Sequence, residues 1–79
     1  MKLTKSQTTN LKSIWTSRIA FNLNAAQAKA AGFGYMHLNP RYQMVDLGMA
    51  RVLVTLNEIG GQRVEVLILT DLGREILGV

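Results

Sequence analysis

The chain has 79 residues, 48% of them hydrophobic, with nine Lys and Arg against five Asp and Glu for a net charge of +4. That size holds a single domain, residues 1–79, able to bury about 60% of its unfolded surface, and the apolar content excludes a disordered chain. The absence of cysteine excludes disulfides and thiolate metal sites and fits a cytoplasmic setting, while the start, Met1-Lys2-Leu3-Thr4-Lys5, lacks the apolar stretch of a secretory signal.

The first helix is marked by Thr4 and Gln7, a pair at capping-box spacing in which each side chain satisfies the other residue's backbone amide. Leu11, Ile14, Trp15 and Ile19 then recur at helical intervals as one apolar stripe, with Trp15 expected as a core anchor. A second helix is expected from Asn24, with Gln27 three residues on, through an alanine-rich stretch that ends at Gly32. Residues 32–35, Gly-Phe-Gly-Tyr, break the pattern as a turn.

Asn39-Pro40 predicts the cap and first residue of a short third helix, 40–47, stopped by Gly48. Met44, Val45 and Leu47 would face inward, leaving Arg41, Gln43 and Asp46 exposed. Two β-branched runs follow, 51–56 and 63–69, on either side of Gly60-Gly61, the composition of a tight hairpin turn. A register centred there pairs Glu58 with Arg63, Val54 with Leu67 and Leu53 with Ile68. Both faces are then apolar at the base, so one needs the last helix or a second subunit to cover it. The competing reading is one long helix over residues 40–59, since Val45, Met49, Val52, Leu56 and Ile59 also fit helical spacing. Gly48 and the β-branched cluster argue against it. Thr70 or Asp71 caps a last helix of about two turns.

Charge is unevenly placed. Lys2, Lys5, Lys12, Arg18, Lys29 and Arg41 occur before any acidic residue, whereas all five acids fall between Asp46 and Glu75 with three arginines. A one-sided basic field is what a phosphate-binding face requires.

The steps Leu47-Gly48-Met49 and Leu69-Thr70-Asp71-Leu72-Gly73-Arg74-Glu75, together with the opening Leu3-Thr4-x-x-Gln7, resemble the winged helix-turn-helix family, in particular bacterial regulators of the MarR and PadR types. The resemblance is clearest over residues 40–77. It implies an α+β winged helix of three helices, a two-stranded β-hairpin wing and a short C-terminal helix. It also implies duplex DNA binding and transcription regulation. The helix 40–47 would enter the major groove, with Arg41 and Gln43 toward base edges and Tyr42 on phosphate or packed beneath. Gln62 and Arg63 at the wing tip would reach the adjacent groove, and Lys5, Lys12, Arg18 and Lys29 would neutralise phosphates.

No nucleophile–base spacing, paired carboxylates, phosphate loop or ligand cluster stands out, so neither catalysis nor a metal or cofactor is expected. His37 reads as a buried or edge structural residue. The alternative function is a protein-interaction module on the same scaffold, such as a small phage or plasmid factor binding a host complex. A homodimer through the hairpin is compatible with both, and neither needs a membrane.

Overall fold

Both predicted capping boxes form. In the computed structural model, which describes residues 2–79, Thr4 Oγ1 accepts from the Gln7 amide at 3.1 Å while Gln7 Oε1 accepts from the Thr4 amide at 2.9 Å. Asn24 and Gln27 repeat the arrangement at 2.9 and 3.1 Å. These caps start α1 (Lys5–Thr16) and α2 (Ala25–Ala31), and Gly32 closes α2 in the left-handed conformation with φ +78°. The remaining elements are β1 (Ile19–Ala20), α3 (Leu38–Asp46), β2 (Ala50–Ile59), β3 (Gln62–Leu69) and α4 (Asp71–Leu77). The described residues therefore form an α+β fold of four helices and one antiparallel sheet in the order β1-β3-β2. None of the helices is long and apolar enough to cross a membrane.

The third strand corrects the expectation of a two-stranded hairpin. Ile19 does not extend the stripe of α1; it lies in β1 and pairs with Leu67, as Ala20 pairs with Val66. Adjacent residues in a strand point to opposite faces, and these pairs divide accordingly. Ile19 and Leu67 join Leu11, Ile14, Met36, Met44, Met49 and Ala50 in one core, beneath α1, α3 and α4. Ala20 and Val66 join Leu23, Ala28, Phe33 and Val64 in a second, covered in part by α2.

Trp15 is 49% exposed and is not the anchor of either core. The sheet, α3 and α4 pack on the Leu11–Ile14 side of α1, and Trp15 sits at the margin of that side. His37 is exposed and not buried; it stands at the N-cap of α3 without a side-chain hydrogen bond, its ring edge-on to Tyr35. Asn39 is consequently inside the helix, and Pro40 is its third residue instead of its first. Proline is tolerated there because the first-turn amides have no intrahelical acceptor.

β2 excludes the long helix over residues 40–59. Gly60 and Gly61, both at positive φ (58° and 80°), make the turn, and Glu58 faces Arg63. Toward the base the register departs from expectation: Val52, not Val54, faces Leu67, and Leu53 faces Val66 instead of Ile68. Between Val54 and Glu58 the ladder shifts by a bulge on β2. Thr55 Oγ1 donates to the Val64 carbonyl at 2.8 Å and accepts from the Asn57 amide at 3.2 Å. The slip is two residues, so each side chain keeps its face.

Candidate nucleic-acid interface

α3 is the helix from which the resemblance draws base contacts. It is held by its buried residues, Arg41 and Met44. Arg41 corrects a sequence-based expectation, since it is 4% exposed instead of displayed on the surface. Its Nη1 donates to the carbonyls of Ala20, Phe21 and Leu23 at 3.1, 2.7 and 3.0 Å. Its Cζ lies 5.3 Å from the centre of the Tyr35 ring, a cation–π distance. The end of β1 and the β1–α2 connection turn three peptide oxygens inward around this one nitrogen, whose two N–H groups they share. Held this way, Arg41 does not reach a base edge. Its Nε is buried and has no hydrogen-bond partner among the described residues.

The outward side of α3 instead carries Leu38, Asn39, Tyr42, Gln43 and Asp46. Tyr42 is half-exposed and packs edge-on against Phe21 at 5.2 Å between centroids. Asn39 and Gln43, four residues apart, lie on one exposed face with Tyr42 between them in sequence. Asn39 was missed at the sequence level because it was assigned to the cap. Beside this face runs an open groove of about 540 Å³ between the start of α3 and residues 21–24, with Arg41 and Glu65 also in its lining.

The other predicted contacts are exposed but dispersed. Lys5 and Lys12 stand two turns apart on one side of α1; Lys5 adjoins Ser6, Thr9 and Asn10, and Lys12 adjoins Lys2, Ile76 and Leu77. Arg18 lies elsewhere, 6.0 Å from the Phe33 ring centre on the sheet face that includes Val66. Lys29 sits in the last turn of α2. Gln62 and Arg63 flank the hairpin turn, opposite Ile59 and Glu58. The Arg63 carbonyl accepts from Asn22 Nδ2 at 2.9 Å, and the Glu65 amide donates to Asn22 Oδ1 at 3.0 Å. Asn22 thus ties the hairpin to the loop after β1. The basic side chains do not form one cluster, and no acid–base pair accompanies them; the described residues contain one ion pair, the exposed Asp71–Arg74 contact at 3.2 Å.

No family model, curated protein or solved structure matches the chain.

Proposed function

We propose that the chain is a winged-helix domain that binds duplex DNA and regulates transcription without catalysing a reaction. The observation carrying this reading is the placement of α3. It follows α2 and precedes a long hairpin, and its outer face presents Asn39, Tyr42 and Gln43 rather than a row of apolar residues. Asn and Gln amides pair with the adenine edge in the major groove, and residues in the first half of a recognition helix lie nearest the bases. Phosphate contacts fall to Lys5, Lys12, Lys29 and Arg63, with Gln62 beside the last at the turn. Arg41 positions α3 by holding the β1–α2 connection and is not a DNA contact.

The second reading, a protein-interaction module, is favoured by one observation. α3 exposes no cation, and Leu38 and Tyr42 are each 50% exposed at the rim of the groove. Such a surface suits an apolar partner side chain better than a polyanion.

Binding to mixed-sequence duplex DNA across a salt series separates the two. The DNA reading expects affinity that falls linearly on a log–log salt plot, with a shallower slope for a Lys5→Ala, Lys12→Ala variant. It also expects Asn39→Ala and Gln43→Ala to weaken binding with little change in slope. Absence of binding at low salt by folded protein rejects the DNA reading. The Leu38–Tyr42 face then becomes the surface to test against protein partners.

A further inference from the structure

Arg41 engages the protein through one nitrogen of its guanidinium. All its side-chain hydrogen bonds among the described residues leave from Nη1, and Nε is buried without a partner. Nε–H and the adjacent Nη2–H form one edge of the planar group, the fork that takes both oxygens of a carboxylate side by side. A buried donor left unpaired is costly, so a group that pairs with it gains what the empty protein forgoes.

The residue lines the groove of about 540 Å³ beside α3, a volume in the range of small-molecule sites. Glu65 lines the same groove. Phe21 stands between the two: its carbonyl accepts from Arg41 at 2.7 Å, and its amide donates to the Glu65 carbonyl at 2.7 Å. Neither charged side chain has an ionic partner, since the one ion pair among the described residues joins Asp71 and Arg74. The lining also holds Tyr35, Leu38 and Tyr42, each about half-exposed, with the Phe21 ring edge-on to Tyr42.

We propose that this groove binds a free α-amino acid with an apolar side chain. The carboxylate takes the Nε–Nη2 edge of Arg41, the ammonium pairs with Glu65, and the side chain lies against Tyr35, Leu38 and Tyr42. Tyr35, whose ring centre is 5.3 Å from the guanidinium carbon, is the side chain that gives way to admit the carboxylate to Nε. Charge selects this occupant. Two unpaired groups of opposite sign suit a zwitterion, whereas Glu65 repels a phosphate or a nucleic-acid backbone and Arg41 repels a simple amine. The aromatic and aliphatic lining adds affinity for a side chain that glycine lacks. The inference does not depend on DNA binding.

Titration of the full chain with L-phenylalanine, followed through the backbone amide and arginine Nε–H signals in NMR spectra, tests it. We expect saturable shifts at residues 21–24, Leu38, Tyr42 and the Arg41 Nε–H, with a dissociation constant of about 1 mM or below. L-phenylalaninamide lacks the carboxylate and phenylpropanoate lacks the ammonium; each should bind at least about tenfold more weakly. Glycine should bind more weakly still. Glu65→Gln should weaken L-phenylalanine about tenfold and leave phenylpropanoate unchanged. That substitution keeps the backbone bonds of residue 65 and leaves Arg41 in place, and an unchanged thermal midpoint checks the fold. Four results would each overturn the proposal. They are no saturable shift up to about 10 mM, equal binding of L-phenylalanine and either analogue, inorganic phosphate binding as tightly as L-phenylalanine, or a Glu65→Gln protein with full affinity.

Discussion

Nη1 of Arg41 lies 2.7 Å from the carbonyl oxygen of Phe21, a residue twenty positions earlier in the chain. Through that bond and its neighbours, the helix offered for reading is fastened to the loop that follows β1.

Arg41→Ala should therefore act on stability before it acts on any binding. Three carbonyls would lose a charged donor, and hydrogen bonds to charged groups contribute about 1.5–3 kcal/mol each before relaxation. We expect a loss of about 3 kcal/mol in urea unfolding and, for a domain this small, a fall of roughly 12–24 °C in thermal midpoint. Arg41→Lys should recover part of the loss, since an ammonium can donate to the same oxygens but gives up the planar guanidinium's contact with the Tyr35 ring. A loss below about 1 kcal/mol would show that the loop does not depend on this side chain.

Gly73, on the first turn of α4, is packed so closely against the Met49 carbonyl that a Cβ there would overlap it. In an open helix Gly→Ala gains up to about 1 kcal/mol. Here the substitution must push α4 off the start of β2, and we expect Gly73→Ala to cost about 2–3 kcal/mol. A stabilised Gly73→Ala protein in the same unfolding measurement would contradict the packing described.

The chain has one tryptophan, so its fluorescence reports on Trp15 alone. Half exposed at the margin of α1, it should emit at long wavelength and be quenched readily by iodide or acrylamide while the protein is native. Trp15→Ala should cost about 1 kcal/mol or less, against about 2–5 kcal/mol for Leu11→Ala at a fully buried position on the same helix. Strong protection from quencher would place the indole in the core instead.

Thr55→Val removes the hydroxyl that bridges the hairpin bulge. We expect a loss of about 1 kcal/mol and amide chemical-shift changes confined to the distal hairpin, residues 52–66. Shifts spreading into α1 and α4 would mean that the bulge governs more than its own strand pair.

Features whose energy is decided within a few residues were legible in the sequence. Thr4 with Gln7 and Asn24 with Gln27 are bonded across three positions. Gly60-Gly61 needs only its own freedom at positive φ, and Thr70 caps α4 by accepting from the Gly73 amide at 3.1 Å. The Glu58–Arg63 pairing followed directly from that turn. The base of the hairpin did not, because the bulge at Thr55 is stabilised by a side chain whose use depends on the partner strand.

Among the predicted site residues, the exposure of Arg41 was misread. Arg41 looked like a surface cation because it neighbours Asn39, Tyr42 and Gln43, which are exposed. Its partners come from a loop that the chain pattern of α3 does not mention. Asn39 was lost to the cap for a related reason: Asn-Pro is a strong local start signal, but the chain reaches α3 already helical at Leu38.

The sequence by itself determined the N-caps of α1 and α2, the hairpin turn, the order of the main helices and strands, and the acid-free first half. It did so because capping bonds, glycine conformations and charge counts are local. Only the tertiary structure decided that two residues at Ile19–Ala20 become a strand, that the ladder slips past Thr55, that Trp15 lies outside the core and that Arg41 lies within it. Each of those outcomes depends on partners that arrive from far along the chain, as the Leu67–Ile19 pair and the Arg41–Leu23 bond do. Burial is won by whichever side chain satisfies the groups already there, and three inward carbonyls are better met by a guanidinium than by an indole.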